Sequence, residues 1–184
     1  MDIVRGYLAI LFCCLIPGVG WASDLCPAVF DHQMKHLHSS ESSHLCELLA
    51  GKPALVVNTA SHCGFTHQFE GLEALHQEYG KRGVGFLGVT SDSFHQAAGT
   101  EQEAAKICFL NFGVSFPMMA PVPVKGPDAH PLFMELAEQA GAPKWNFFKY
   151  VVDRNGEVVA RFGATVAPYD PRITSLLDSL LVAN

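Results

Sequence analysis

The stretch Pro53-Ala-Leu-Val-Val-Asn-Thr-Ala-Ser-His-Cys63-Gly-Phe-Thr66 decides the fold, because it places a cysteine between a strand and a helix. The run from Pro53 to Asn58 is apolar and β-prone, which predicts a central strand. From about Thr66 to Tyr79, apolar residues recur at the spacing of one helical face. A cysteine at this junction faces unpaired N–H groups and the positive end of the helix dipole, which favour the thiolate. The segment therefore predicts a reactive nucleophile at Cys63.

The rest of the chain continues to alternate strands and helices. A second buried strand is predicted at 84–90, and a helix begins after Thr100, with Glu103 in capping-box position. Further elements are predicted as a helix over 130–139, a hairpin over 147–162 with an Asn-Gly turn, and a final helix over 170–182. Two strand–helix units, a hairpin and a last helix indicate an α/β, thioredoxin-like fold, with a central mixed β-sheet flanked by helices.

Composition and charge exclude several classes of protein. The chain has 184 residues, enough for one domain with a substantial core, and 49% of them are hydrophobic. The net charge is −6, and we find no basic stripe, which disfavours binding to nucleic acid or to an anionic membrane by bulk charge. Glycine-rich phosphate-binding motifs are absent from the sequence.

The first 22 residues differ from the remainder. Arg5 precedes an apolar run from Tyr7 to Ile16, and the small residues Gly20 and Ala22 follow. The run is short for a membrane span, which needs about 20 apolar residues. We interpret 1–22 as a cleaved signal peptide, with an uncleaved membrane anchor as the alternative. The domain would then be 23–184, periplasmic or secreted, with no stable membrane insertion after cleavage.

Cleavage at this point would leave four cysteines. Cys13 and Cys14 would be removed, and Cys26, Cys46, Cys63 and Cys108 would allow three full pairings. Cys26 and Cys46 flank a polar segment near the new N-terminus, and we interpret them as a structural disulfide. The alternative is a pair of buried free thiols.

Histidines crowd the segment between those two cysteines. His32 and His36 have the i, i+4 spacing that places two ligands on one face of a helix, where zinc or copper binds. His38, His44 and Asp31 lie nearby. We favour a polar surface helix and loop, and we predict no metal and no cofactor.

Three segments, in this order, carry a resemblance to a known family. They are Asn58-Thr-Ala-Ser-His-Cys63-Gly-Phe-Thr66, Phe109-Leu-Asn-Phe-Gly-Val-Ser-Phe-Pro-Met118 and Trp145-Asn-Phe-Phe-Lys149. Together they resemble the glutathione peroxidases, specifically the cysteine-containing bacterial, thioredoxin-dependent type. The resemblance covers about Cys26 to Leu181, almost the whole predicted mature chain.

The resemblance implies roles for individual residues. Cys63 would be the peroxidatic cysteine, whose thiolate attacks one oxygen of the peroxide and becomes a sulfenic acid. Trp145 and Asn146 would belong to the catalytic group, because an indole N–H and an amide N–H₂ orient a peroxide and stabilise negative charge. Cys108 would be the resolving cysteine that forms a disulfide with Cys63. The alternative for Cys108 is a buried structural cysteine.

One residue of the family pattern is displaced. A glutamine is expected near the end of the second strand, and Ser93 occupies that position in Thr90-Ser-Asp-Ser-Phe94. Alignment on the flanking phenylalanines matches Gln96 to a later glutamine of the family. Gln96, Ser93 and Asp92 all remain candidates for the missing donor, with Gln96 preferred.

The resemblance also implies partners. The substrate would be hydrogen peroxide or an organic hydroperoxide, and the reductant a thioredoxin-like protein or glutathione. Because no cluster of arginines is evident for the carboxylates of glutathione, we favour the protein. A short loop between Met119 and His130 indicates a monomer. The alternative function is a peroxide-sensing redox relay; a disulfide isomerase is disfavoured because the chain has no Cys-x-x-Cys motif.

Overall fold

The computed structural model describes residues 26–182. The predicted signal peptide, 1–22, lies outside these residues. Between residues 26 and 182, no helix combines the length and the apolar character that a membrane crossing requires. The strands are β1 Gln33–Lys35, β2 Ser42–His44, β3 Ala54–Thr59, β4 Gly85–Thr90, β5 Met118–Met119, β6 Lys149–Val152 and β7 Val158–Phe162. The helices are α1 Leu45–Leu49, α2 Gln68–Tyr79, α3 Glu101–Ala105, α4 Pro131–Ala140 and α5 Pro171–Val182, and a π-helical segment covers Lys106–Asn111.

Five strands form one mixed sheet in the order β5-β4-β3-β6-β7. The pairs β3–β4 and β4–β5 are parallel, whereas β6 runs antiparallel to β3 and β7 runs antiparallel to β6. Every residue of β3 and β4 is buried, as expected for strands covered on both faces. This architecture confirms the predicted α/β fold with a central mixed sheet.

The sheet separates two apolar clusters. Leu55 and Val57 of β3 point into the cluster that contains residues of α2, α3 and α5, whereas Ala54 and Val56 point into the cluster that contains residues of α1 and α4. This alternation follows from the two-residue period of a strand. Cys63 and Cys108 both lie in the first cluster. The two cysteines predicted to react with each other are therefore buried on the same face of the sheet.

The N-terminal region differs from the prediction of a polar surface helix and loop. It forms the antiparallel hairpin β1–β2, whose Met34 is buried between two exposed neighbours. The hairpin contacts the edge strand β5, where the Leu37 amide donates to the Met118 carbonyl at 2.8 Å. The Ala120 amide donates to the Lys35 carbonyl, also at 2.8 Å. The segment therefore covers an otherwise open sheet edge, a tertiary role that its polar sequence does not indicate.

The helix that carries Cys108 also departs from its predicted form. Thr100 caps it as expected, since its Oγ1 accepts the Glu103 amide at 3.1 Å. The α-helical geometry ends at Ala105, however, and Lys106–Asn111 continues as a π-helix. Short π-helical insertions are rare and occur frequently at functional sites. Cys108 is thus in a less regular segment than its apolar spacing predicted.

Candidate active site

Cys63 follows β3 in a series of tight turns and has 3% of its surface exposed. The Thr66 amide donates to the Cys63 carbonyl at 3.0 Å, which closes one of these turns. The first amides of α2 bond in the same way, with Gln68 donating to Phe65 and Phe69 donating to Thr66. These two helical N–H groups are therefore already paired, contrary to the expectation that such groups face the cysteine. The turns, rather than a direct helix start, hold Cys63 at the end of the strand.

Asn58 connects the Cys63 strand to the Trp145-Asn146 turn. Its side-chain Nδ2 donates to the Trp145 carbonyl at 3.1 Å, and its carbonyl accepts the Phe147 amide at 2.6 Å. Asn58 is completely buried. The sequence analysis placed Asn58 in the strand and at the start of the Cys63 motif, and predicted no contact between Asn58 and the Trp145-Asn146 turn. A polar residue that interrupts an apolar strand five positions before the nucleophile was the available signal, because buried amides require specific partners.

Gln96 contacts both sides of the candidate site. Its Oε1 accepts a hydrogen bond from Nδ2 of Asn146 at 3.4 Å, and its carbonyl accepts the amide of His62, next to Cys63, at 2.9 Å. The two other candidates for the displaced glutamine accept backbone amides, Asp92 within its own loop and Ser93 from the segment between β5 and α4. Ser93 Oγ accepts the Val124 amide at 3.0 Å, and Asp92 Oδ1 accepts the Ala97 amide at 3.1 Å.

The Trp145-Asn146 turn has a strained backbone and an aromatic border. Phe147 adopts a φ of 62°, a left-handed conformation that is unfavourable for a bulky residue and typical of functional sites. Asn146 is completely buried, whereas Trp145 is 38% exposed and packs against Phe94 with ring centroids 5.3 Å apart. The Nζ atom of Lys125 lies 4.4 Å from the centre of the Phe94 ring. The indole thus stands at the surface, beside the buried amide.

Cys108 is almost completely buried, and burial raises the pKa of its thiol to about 12. Its carbonyl accepts the Val114 amide at 3.0 Å, which folds the chain back after the π-helical segment. The next two residues, Phe109 and Leu110, are exposed. A neutral thiol is a poor nucleophile, and the raised pKa keeps the buried Cys108 thiol neutral.

Aromatic contacts join the Cys108 segment to the Trp145-Asn146 turn. Phe69 of α2 lies 5.6 Å from Phe112, at the end of the π-helical segment, and 5.1 Å from Phe147. Edge and tilted ring pairs of this kind stabilise by roughly 0.5–1.5 kcal/mol beyond their buried area. Phe69 therefore contacts both the end of the Cys108 segment and Phe147, the residue that follows Asn146.

Lys149 is a buried cation that joins β6 to the start of α2. Its Nζ donates to Gln68 Oε1 and to the Val166 carbonyl, the latter at 2.7 Å. Gln68 in turn donates from Nε2 to the Ala164 carbonyl at 2.6 Å. Burial lowers the pKa of Lys149 to about 8. The lysine of the Trp145–Lys149 motif therefore fixes the first turn of α2, a role that sequence reasoning left unassigned.

The N-terminal cysteines are joined as expected, by a Cys26–Cys46 disulfide with Cα atoms 5.6 Å apart. The histidines between them do not form the helical pair that was considered. The chain at His32 and His36 is extended, which separates i and i+4 by about 13 Å. His32 Nε2 lies 3.0 Å from Glu135 Oε1, and His36 Nε2 lies 2.8 Å from Ser43 Oγ. Each histidine thus has a separate partner.

Comparison with known proteins places this geometry in a family. The sequence model of the family described as glutathione peroxidase matches residues 29–137, which include Cys63, Gln96 and Cys108. The chain belongs to the glutathione peroxidase family. It is therefore a peroxidase enzyme that uses thiols, in agreement with the resemblance of its three motifs. The turn at Trp145 lies beyond the matched range, and its assignment depends on its own motif and contacts.

Individual relatives of this peroxidase extend over most of its length. It is 45% identical over 124 residues to a glutathione peroxidase of Lactococcus lactis, covering 64% of this chain and 79% of that one. It is 44% identical over 139 residues to a glutathione peroxidase-like peroxiredoxin of Chlamydomonas reinhardtii, covering 71% and 86%. The crystal structure of T. cruzi GPX1 superposes with a TM-score of 0.66 at 28% identity, covering 84% of this chain and 96% of that one.

Proposed function

We propose that this peroxidase reduces hydrogen peroxide or organic hydroperoxides through Cys63, and that Cys108 resolves the oxidised cysteine. The observation that carries this proposal is the pair of contacts made by Gln96, with the Asn146 side chain on one side and the His62 backbone on the other. These contacts bring the displaced glutamine, the catalytic amide and the residue before Cys63 into one arrangement. Family membership supplies the class of reaction.

In the first step, the Cys63 thiolate attacks one peroxide oxygen. The S–O bond forms as the O–O bond breaks, and the product is a sulfenic acid together with an alkoxide that takes a proton and leaves as an alcohol or water. The leaving oxygen gains negative charge in the transition state. Hydrogen-bond donors already in place stabilise that charge without reorganisation. The Trp145 indole and the amides of Asn146 and Gln96 are the donors that we assign to this step.

In the second step, the Cys108 thiolate attacks the sulfenic sulfur of Cys63. A disulfide forms, and hydroxide leaves with a proton as water. Burial and a raised pKa suppress this attack while the segment is closed. The π-helical turn around Cys108 supports local opening, because its hydrogen-bonding pattern is less favourable than that of an α-helix. We infer that opening precedes resolution.

In the third step, an external dithiol reduces the Cys63–Cys108 disulfide and is itself oxidised. We favour a thioredoxin-like protein over glutathione. Two arginines, a residue type that binds the carboxylates of glutathione, already have carboxylate partners: Arg82 lies 2.7 Å from Asp178, and Arg172 lies 2.8 Å from Asp170. The Cys63–Cys108 disulfide is also a suitable substrate for a dithiol protein, which reduces it in two successive thiol–disulfide exchange steps.

A redox relay is the second candidate function. The same cysteines would accept oxidation from a peroxide and pass the disulfide to a partner protein. Leu110, 78% exposed beside Cys108, favours this candidate because it offers an apolar contact to a protein. Sustained turnover with excess reduced thioredoxin distinguishes the enzyme, which cycles, from a relay, which is oxidised once and waits for its partner.

We further propose that the enzyme acts outside the cytoplasm as a monomer. The Cys26–Cys46 disulfide supports the location, since such bonds persist in oxidising compartments. The short chain between β5 and α4 supports the monomeric state. Fractionation of cells that express the full chain tests the first proposal, and sedimentation of the purified protein tests the second.

The experiment that tests the catalytic assignment compares two variants. Cys63→Ser should abolish consumption of peroxide, because a serine hydroxyl does not reach the nucleophilicity of a thiolate. Cys108→Ser should retain the first turnover and leave a sulfenic acid on Cys63, detectable with a dimedone probe. Undiminished activity of Cys63→Ser would contradict the assignment. Sustained thioredoxin-supported turnover of Cys108→Ser at the original rate would contradict the role of Cys108.

A further inference from the structure

Two cysteines and a histidine form a compact group away from the peroxidatic cysteine. The sulfurs of Cys26 and Cys46 and a ring nitrogen of His44 all lie within 4.8 Å of one another. All three residues are half-buried. Cys46 packs against the second apolar cluster, on the face of the sheet opposite to that of Cys63. The group is therefore separate from the catalytic arrangement, and the proposed peroxidase cycle makes no use of it.

The chemistry of these donors indicates a particular kind of ligand. Two thiolates and one imidazole suit a borderline-soft ion such as Zn²⁺, which takes four ligands in a tetrahedral arrangement. A carboxylate accompanies the histidine, because His44 Nε2 lies 3.3 Å from Asp31 Oδ1. Metal-binding histidines are commonly oriented by a carboxylate in this way. Asp31 is thus a second, independent feature of a metal site.

The disulfide prevents both sulfurs from acting as ligands. We propose that reduction of the Cys26–Cys46 disulfide produces a zinc site formed by Cys26, Cys46 and His44. A dithiol supplies two electrons and two protons to the disulfide and becomes a disulfide itself. The two resulting thiols then bind Zn²⁺ as thiolates and release those two protons. Water completes the tetrahedron, since three protein ligands leave one position open.

The change in geometry that this requires is small. Two sulfurs bound to one zinc ion at 2.3 Å in a tetrahedron are separated by about 3.8 Å, against about 2.05 Å in a disulfide. Rotation of two half-buried side chains supplies the difference of about 1.7 Å. His44 and Cys46 are separated by one residue at the start of α1, so they approach a common point without rearrangement of the chain. The disulfide form and the zinc form exclude each other.

Cobalt binding tests this site directly. The full chain is prepared with Cys13, Cys14, Cys63 and Cys108 replaced by serine, reduced with a phosphine, freed of reductant and titrated with Co²⁺. We expect one cobalt per chain, with the intense absorption of thiolate-to-cobalt charge transfer, and displacement of the cobalt by an equimolar amount of Zn²⁺. The same chain with its disulfide intact should show no such absorption. Absence of the absorption from the reduced chain, or equal absorption from the oxidised chain, would overturn the proposal.

Two histidine variants separate a built site from unspecific binding to thiols. His44→Ala leaves both cysteines in place and should weaken zinc binding at least tenfold in a chelator competition. His38→Asn is the matched control in the same hairpin, with asparagine chosen because His38 has a φ of 53°; it should bind zinc as the parent chain does. Circular dichroism of each reduced chain verifies that it remains folded. Equal zinc affinity in His44→Ala and the parent would overturn the assignment of His44.

Discussion

The side chain of Asn146 donates a hydrogen bond to the side chain of Gln96, with 3.4 Å between Nδ2 and Oε1. The Gln96 backbone also accepts the amide of His62 at 2.9 Å. A glutamine that is displaced in sequence thus contacts both the side chain of Asn146 and the backbone of His62, the residue before Cys63. This position in space, rather than a place in the family motif, makes Gln96 our candidate for the displaced donor.

Gln96→Ala should therefore impair the reaction with peroxide. Loss of one preorganised donor typically lowers kcat by roughly 100-fold or more, and because Gln96 also orients Asn146, we expect a fall in the second-order rate constant for Cys63 oxidation. Stopped-flow measurement of that rate constant tests the expectation. Ser93→Ala is the control, because the Ser93 hydroxyl bonds with Ser91 and with the Val124 amide rather than with Asn146. A larger loss of rate in Ser93→Ala than in Gln96→Ala would show that Ser93, and not Gln96, is the displaced donor.

Asn58→Asp should lower both the free energy of unfolding and the oxidation rate of Cys63, although the new side chain has nearly the same size and shape as asparagine. The new carboxylate has no N–H to donate, so the Trp145 carbonyl loses its partner, a change that costs about 1–3 kcal/mol when the group is buried. The turn that presents Trp145 and Asn146 then loses its attachment to β3. Urea unfolding and the oxidation rate of Cys63 measure the two effects. Wild-type values for both would show that Asn58 does not position the turn.

Much of this fold follows from local sequence patterns. The strand before Cys63, the capped start of α3 at Thr100 and the hairpin with its turn at Asn155-Gly156 all have strong local signals, and the structure confirms them. Gly156 has the positive φ, 86°, that this turn requires. These elements depend on hydrophobic periodicity, capping and turn chemistry, which neighbouring residues determine.

Other features depend on tertiary contacts and have no such signal. The hairpin β1–β2 is polar, and its strands become evident only when they pack beside β5. The π-helical form of Lys106–Asn111 differs from an α-helix by one residue per hydrogen bond, which apolar spacing does not resolve. Asn58 and Lys149 gain their roles from partners about 80 residues or more distant, so neither was identified from sequence as a positioning residue.

The reactivity of Cys108 should have an unusual pH dependence. Burial raises the pKa of its thiol from 9.0 to about 12, so the closed segment prefers the neutral thiol and is destabilised as pH rises between those values. Alkylation of Cys108 in a Cys63→Ser chain should therefore keep increasing above pH 9, by up to tenfold per pH unit. In urea-unfolded protein the same reaction should level off near pH 9. A plateau near pH 9 in the folded chain would show that burial of Cys108 does not control the reactivity of its thiol.

Lys149 should make the free energy of unfolding rise with pH, the opposite of the effect of Cys108, and it should do so over a lower pH range. Its pKa is lowered from 10.5 to about 8, so above pH 8 the unfolded chain holds a proton that the folded chain has lost, and the free energy of unfolding rises with pH. The slope is at most about 1.4 kcal/mol per pH unit. Urea unfolding between pH 8 and 9 is measured in a Cys108→Ser background, because the unfolded Cys108 thiol, with its ordinary pKa of 9.0, already begins to ionise in this range. Lys149→Met should abolish the rise, whereas the exposed control Lys144→Met should retain it; a rise that persists in Lys149→Met would assign it to another group.

The disulfides present after oxidation by peroxide provide the sharpest test of the roles proposed for Cys63 and Cys108. The reduced chain is treated with one equivalent of hydrogen peroxide, alkylated under denaturing conditions, digested without reduction and analysed by mass spectrometry. We predict that Cys63 is joined to Cys108, and that a Cys108→Ser chain instead carries a sulfenic acid on Cys63. A Cys63 that remains an unmodified thiol, or that pairs with Cys26 or Cys46 while Cys108 stays free, would contradict these roles.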